Sequence, residues 1–200
     1  MLVDASNPRS YSGSGSTWYD LSGNSNHMTL FNNPTFTSTS PSAPCIQTDG
    51  STQYMTCPIN FTASGFTCSL MFQYLTFHTI MKSVTNGEWL QTNVNYGITL
   101  PGGTSGGGGS IYYGDLTKNI CITITNDGAG NFASYVNGVF QSSISGLSYT
   151  SGTGGTQFAR YSVGVSYSSI NFYNITIYNR ALTSNEVANN FNAIRGRYGL

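Results

Sequence analysis

An all-β domain, built as a sandwich or barrel of short antiparallel strands with one C-terminal helix, is the fold the sequence predicts. Three observations predict it. The first is composition: of 200 residues only 7% are charged and 14% are aromatic, against roughly 25% charged in ordinary soluble domains. Ser, Thr, Asn and Gly make up nearly half of the chain, which favours pleated sheet and turns over helix. The second is a succession of short alternating segments separated by turn residues. The third is a single stretch of helical periodicity, close to the C-terminus.

Taken in chain order, the first elements are bracketed by Ser-rich stretches at 12–17 and 38–44. Cys45 and Cys57 lie symmetrically about a turn centred on Ser51, so a hairpin there would set them opposite each other. Phe66 to Tyr74 alternates over nine residues with the even positions apolar, which places Cys68 on a core face with Phe66, Leu70 and Phe72. The glycine-rich run 102–110 reads as a long loop within one domain. No Lys-Ser/Thr follows it, so it is not a phosphate cradle. Ile120, Ile122 and Ile124 share one face of a strand, and Cys121, Thr123 and Thr125 the other. A turn at 126–131 leads to a return strand from Phe132 to Val136, and Asn137-Gly138 is a strong hairpin signal before Val139-Phe140. In the strand that carries Ile175 and Ile177 the alternation slips near Phe172-Tyr173, which predicts a bulge. Thr183 with Glu186 is a capping box. Val187, Phe191 and Ile194 then give one apolar helical face, with Gly196 as the expected stop and the helix closing an edge or end of the sandwich.

Charge excludes several function classes. Seven Lys+Arg balance seven Asp+Glu, so there is no basic face to displace counterions from nucleic acid. No apolar run is long enough to span a membrane, and the first residues show neither the basic nor the apolar region of a secretory signal. The four cysteines are too sparse for a disulfide scaffold and form no C-x-x-C pair, with only His27 and His78 as further ligands, so a zinc site is not expected; no cofactor is expected either.

Motifs at both ends of the chain resemble a known family. The opening Leu2-Val3-Asp4-Ala5-Ser6-Asn7-Pro8 is followed by Thr17-Trp18-Tyr19-Asp20-Leu21-Ser22-Gly23-Asn24. The close is Tyr178-Asn179-Arg180-Ala181-Leu182-Thr183, then Asn190-Phe191-Asn192 and Gly196-Arg197-Tyr198-Gly199-Leu200. Between them stand Thr48-Asp49-Gly50 with Tyr54, and Ser134-Tyr135-Val136-Asn137-Gly138-Val139. Together these resemble the laminin-G-like domains of the concanavalin A-like lectin/glucanase superfamily, in the branch of phage and large-DNA-virus structural proteins. The resemblance implies a jelly-roll sandwich of two curved antiparallel sheets, formed as one domain over residues 1–200, with the first and last strands paired. It also implies a virion location, an extracellular one being the alternative. The chain departs from the family at Gln53 and Asn174, where relatives often carry acids that could help hold calcium.

The carboxylates Asp4, Asp20, Asp49, Glu88, Asp115, Asp127 and Glu186 include no pair at i, i+2 or i, i+4, so no single element presents the acid–nucleophile pair of a glycosidase. His27 and His78 alone could serve a nucleophile as base, and no G-x-S-x-G elbow is present. The chain is therefore read as non-catalytic. Sugars are held by aromatic faces together with neutral amides and hydroxyls. Trp89, after an Asn-Gly turn, and Tyr96, Tyr112 and Tyr113, flanking the glycine run, are the candidate ligand-binding residues. In a chain with 14 tyrosines such neighbours also arise by chance. Asp20, Asn24 and Asn26 offer oxygens to a calcium ion, but one carboxylate binds weakly and turn formation accounts for them. Asn60-Phe61-Thr62 and Asn174-Ile175-Thr176 fit the glycosylation triplet and are read as chance matches.

The expected function is a virion-surface module of a tail, fibre or capsid that recognises a host surface glycan or protein receptor. The alternative is a decoration protein docking on other virion subunits, and a glycan hydrolase ranks third. Neither nucleic acid nor membrane insertion is expected, and a homo-oligomer remains open.

Overall fold

The alternating segments 66–74 and 120–126 become adjacent strands at the centre of one sheet, in register from Phe66↔Asn126 to Phe72↔Ile120. The structure is a computed structural model. It describes residues 1–38, 43–61, 64–76, 79–83, 88–92, 97–99, 110–112, 118–146, 153–162 and 166–200. Strands are numbered in chain order. The first sheet runs β14 (Val139–Ile144), β13 (Phe132–Val136), β12 (Ile120–Asn126), β7 (Phe66–Tyr74), β18 (Ile170–Tyr178), β5 (Cys45–Gln47) and β4 (Thr35–Thr37), with β1 (Leu2–Asp4) also on β18. The second runs β11 (Ser110–Tyr112), β10 (Gly97–Thr99), β9 (Glu88–Thr92), β8 (Thr79–Ser83), β15 (Thr156–Phe158), β6 (Tyr54–Cys57), β3 (Met28–Phe31) and β2 (Thr17–Trp18). A short ribbon joins β16 (Arg160–Ser162) to β17 (Ser166–Tyr167). Every pairing is antiparallel, and the expected union of first and last strands is present as β1 on β18.

The main core lies between the two sheets and holds Trp18, Met55, Phe72, Ile122, Phe158 and Phe172, all at 1% exposure or less. Each large apolar side chain buried this fully stabilises the fold by about 2–3 kcal/mol. The slip in β18 is a bulge between Phe172 and Asn174. Because of it Ile170 and Phe172 on one side, and Ile175 and Ile177 on the other, all reach the main core. Tyr173 is left on the opposite face, against Tyr198.

That opposite face is covered rather than wet, which corrects the expected place of the helix. α1 (Ser184–Ile194) lies over the outside of the first sheet, not at an edge, with Phe191 and Tyr198 against Met71, Cys121 and Tyr173. An apolar helical stripe needs an apolar partner, and this sheet presents one on both faces. All of β12 is buried as a result. Gly196 is not the stop: α1 runs into a 3-10 turn, Arg195–Tyr198, which ends at Gly199 with φ +71°. The hairpin glycine is required twice over. Gly138 has φ +77°, and a Cβ there would come within 2.9 Å of the Phe191 ring.

The capping box forms as expected: Glu186 N–H donates to Thr183 Oγ1, and Thr183 N–H donates to Glu186 Oε2. Arg180 grips the same carboxylate at 2.6 and 2.9 Å. Thr67, buried on β7, orients this corner by donating to the Arg180 carbonyl and accepting from Leu182 N–H. The Arg180 guanidinium, then the Thr183 N–H, lower the Glu186 pKa from 4.5 to about 2. A depressed carboxylate contributes above its unfolded pKa and loses that contribution as pH falls through the folded one. The Glu186 carboxyl carbon, followed by NMR, should therefore titrate near pH 2. A midpoint at the ordinary value would show that the cap is open in solution.

Cys45 and Cys57 do not face each other. β5 belongs to the first sheet and β6 to the second, so residues 48–53 cross between layers instead of closing a hairpin. Asp49 builds that crossing by accepting from the N–H groups of Ser51, Thr52 and Gln53 and from two hydroxyls. All four cysteines are buried thiols outside any disulfide. Burial pushes the Cys57 thiol up to about 11, which leaves it protonated and unreactive.

Candidate functional site

The outer face of the second sheet starts as a polar strip. In β3, Met28 and Leu30 point inward, so Thr29 and Phe31 point outward; in β6, Met55 and Cys57 point inward, so Tyr54 and Thr56 point outward. Register then aligns Thr17, Thr29, Thr56, Gln157 and Lys82 across five strands. Phe31 lies opposite Tyr54, and their rings stack 4.5 Å apart with planes 1° from parallel.

Arg160 covers the other face of Tyr54, with its guanidinium carbon 3.7 Å from the ring centroid. A backbone kink delivers it there. Strict alternation after Phe158 would turn residue 160 inward, but Ala159 takes φ +62° and is itself fully buried. Its N–H donates to the Ile80 carbonyl, and its own carbonyl accepts from Ser168 N–H. The side chain of Arg160 thus emerges on the outer face. Its Nε and Nη2 donate to Gln157 Oε1 at 3.0 and 2.7 Å. Tyr167 closes the cluster 6.3 Å from Tyr54, and Lys82 Nζ stands 5.1 Å above the ring of half-exposed Tyr161. A guanidinium has five N–H groups, of which Gln157 occupies two. Among the described residues no carboxylate pairs with Arg160.

A second concavity of about 600 Å³ opens at one end of the sandwich. Among the described residues it is lined from β1, the loop 20–27, residues 59–61 and 64–66 and the end of β18, with no charged side chain. The Asp20 carboxylate organises its rim. Oδ1 accepts from the N–H groups of Leu2 and Ser22, and Oδ2 from Ser22 Oγ and Asn26 N–H, all at 2.8–3.0 Å. Burial pushes this carboxyl up, but the Leu2 N–H and then the Ser22 and Asn26 donors outweigh it and hold the pKa below the ordinary value. Asp20 is thus committed to backbone donors, and turn formation explains it, as its sequence context suggested. Asp4 and Asp127 are also engaged in structural contacts, Asp4 with Arg197 and Ser6 N–H, and Asp127 with Ala129 and Asn131.

Of the residues expected to bind ligand, Trp89 sits on β9 and Tyr112 on β11, at the far edge of the second sheet. Their side-chain surroundings, together with Tyr96, Tyr113, His78, Asp115 and most of the glycine run, lie outside the described residues. Asn174 is buried in the sheet and accepts from Thr176 Oγ1, so the folded chain does not present it for glycosylation. The residues that sequence reasoning missed are Phe31, Arg160, Gln157 and Tyr167. Tyr54 was noticed only as part of a turn motif. Phe31 and Tyr54 stand 23 positions apart in the sequence, and only the β3–β6 register joins them.

No protein-family model matches the sequence, and no curated protein matches it. Solved structures do match. The binding domain of botulinum neurotoxin serotype G superposes with a TM-score of 0.73 at 17% identity, over 96% of this chain and 50% of that one. A botulinum neurotoxin type C structure, described as entering cells through two ganglioside molecules, gives 0.71 at 16% identity over 97% and 51%. The binding domain of botulinum neurotoxin DC in complex with rat synaptotagmin II gives 0.72 at 16% over 97% and 51%. This chain spans about half the length of each of these proteins, and what it shares with them is the β-sandwich fold.

Proposed function

We propose that this chain is a non-catalytic recognition module that holds a surface glycan on the outer face of its second sheet through Arg160, which Gln157 and the Phe31–Tyr54 stack keep in place. The observation that carries the reading is the guanidinium fixed on Tyr54 with three N–H groups that no described residue occupies. An arginine held flat by a ring and a side-chain amide is already ordered, so little further entropy is lost when it binds. Its open edge matches a carboxylate, and the surrounding Thr hydroxyls and Tyr rings match sugar hydroxyls and C–H faces. The ligand class is therefore a glycan bearing an acidic sugar. Neighbours described with a ganglioside and with a receptor protein support a recognition role for the fold. The setting we propose is a virion surface in the laminin-G-like manner; that part rests on the sequence resemblance alone.

The test is a glycan array probed with multivalently displayed protein, wild type beside Arg160→Gln. Binding concentrated on acidic glycans, weakened at least tenfold by Arg160→Gln while neutral glycans are unaffected, is the expected result. A protein receptor would leave the array blank and instead appear as Arg160-dependent attachment to cells stripped of glycans. Wild-type and variant profiles that coincide would overturn the assignment of this face.

A further inference from the structure

We infer that the end cleft beside the Asp20 loop is a second binding site, and that it takes an uncharged saccharide. It shares no lining residue with the outer face and does not depend on that reading.

The lining chemistry selects the ligand class. No charged side chain lines the wall and the Met1 α-ammonium is already engaged by the Ile177 carbonyl at 2.9 Å, so an ionic ligand would lose hydration for little counter-charge in return. An apolar ligand would strip water from amides and leave them unpaired. A neutral polyhydroxylated ring meets neither cost. About 600 Å³ falls within the range of small-ligand sites, and the half-buried Tyr178 supplies aromatic surface beside the amides.

Four asparagines keep hydrogen-bonding capacity facing this space. The side-chain amides of Asn26 and Asn179 make no hydrogen bond within the described residues. Among those residues Asn24 engages its Nδ2 alone, on Ser22 Oγ, and Asn60 its Oδ1 alone, accepting from Gly155 N–H. An amide is both donor and acceptor, the pairing a sugar hydroxyl requires. The site is also held in advance. Asp20 fixes the loop that carries Asn24 and Asn26 to Leu2 of β1, and the Asn60–Gly155 bond fixes the facing segment to β15. Little of the binding energy is then spent on ordering the walls.

The experiment is an ¹⁵N NMR titration of the 200-residue chain with lactose, maltose, cellobiose and diacetylchitobiose, in the wild type and in a double variant carrying Asn26→Leu and Asn179→Ala. The expected result is a saturating shift, for at least one sugar, of amides in 22–26, 59–61, 64–66 and 176–179. The affinity should fall at least tenfold in the double variant, with its spectrum otherwise native. Arg160→Gln should leave this binding unchanged. Shifts confined to Phe31, Tyr54, Gln157 and Arg160 would overturn the cleft while supporting the outer face. No saturable shift from any of the four sugars would overturn it outright, and equal affinity in the double variant would remove the asparagines from it.

Discussion

Gly155→Ala is expected to destabilise the fold by about 3 kcal/mol, the sum of two separate costs. Gly155 has φ +90°, where an L side chain is strained, and a Cβ there would be driven into the Cys57 carbonyl oxygen. That oxygen belongs to the backbone of β6 and has no rotamer through which to escape. Gly155 also donates to Asn60 Oδ1 at 2.7 Å, so any shift that relieves the clash strains a bond that orders the cleft. Gly146 is the natural control: its φ is +73° and nothing lies within 4 Å of a built Cβ, so Gly146→Ala carries the conformational cost alone, about 1 kcal/mol. The urea midpoints of the two variants should differ clearly at an unchanged m-value. Equal midpoints would mean that β6 and β15 separate more easily than their pairing implies.

Asp20→Ala should cost a similar amount, about 3 kcal/mol at neutral pH, because it leaves four donors without their charged acceptor. The sign of its pH dependence follows from the direction of the shift. The folded pKa lies below the ordinary 3.8, so the carboxylate contributes fully above that value and its contribution disappears as pH falls through the depressed one. The gap between wild type and variant, read by urea unfolding, should therefore close in acid. A gap that is constant with pH would mean that the loss is packing rather than charge. Hydrogen exchange adds a local reading: the amides of Leu2, Ser22 and Asn26 should lose protection in the variant while those of β12 keep theirs.

Much of the architecture was legible because it rests on local chemistry. Period-two alternation marked β7 and β13 with the bounds they have, since one slipped residue would turn every side chain of the strand's core face away from the core between the sheets. The misfit at Phe172-Tyr173 marked the bulge for the same reason. Thr183 and Glu186 satisfy backbone donors only three residues apart, so the start of α1 could be read directly. Its stop could not, because Gly196 fits into a tight 3-10 turn and the left-handed residue comes three positions later, at Gly199.

The candidate sites were far less legible. Symmetry about Ser51 suggested a hairpin, yet whether two strands pair or part into different layers depends on which partners compete for them. Cys45 goes to the cluster beneath α1, and Cys57 to the main core. Aromatic abundance drew attention to Trp89, Tyr96, Tyr112 and Tyr113, whereas the parallel stack among the described residues, Phe31–Tyr54 with Arg160 on it, draws on three separate parts of the chain.

By itself, then, the sequence determined an all-β chain with most of its central strands, its bulge, its Asn137-Gly138 hairpin and its capped C-terminal helix, because each depends on neighbours in the chain. The tertiary structure alone decided that the helix covers a sheet face, that the cysteines occupy separate cores, that Ala159 turns Arg160 outward onto Tyr54, and that asparagines from three separate segments border one cleft. Those outcomes depend on register and layer packing between residues far apart in sequence, and no local pattern encodes such contacts.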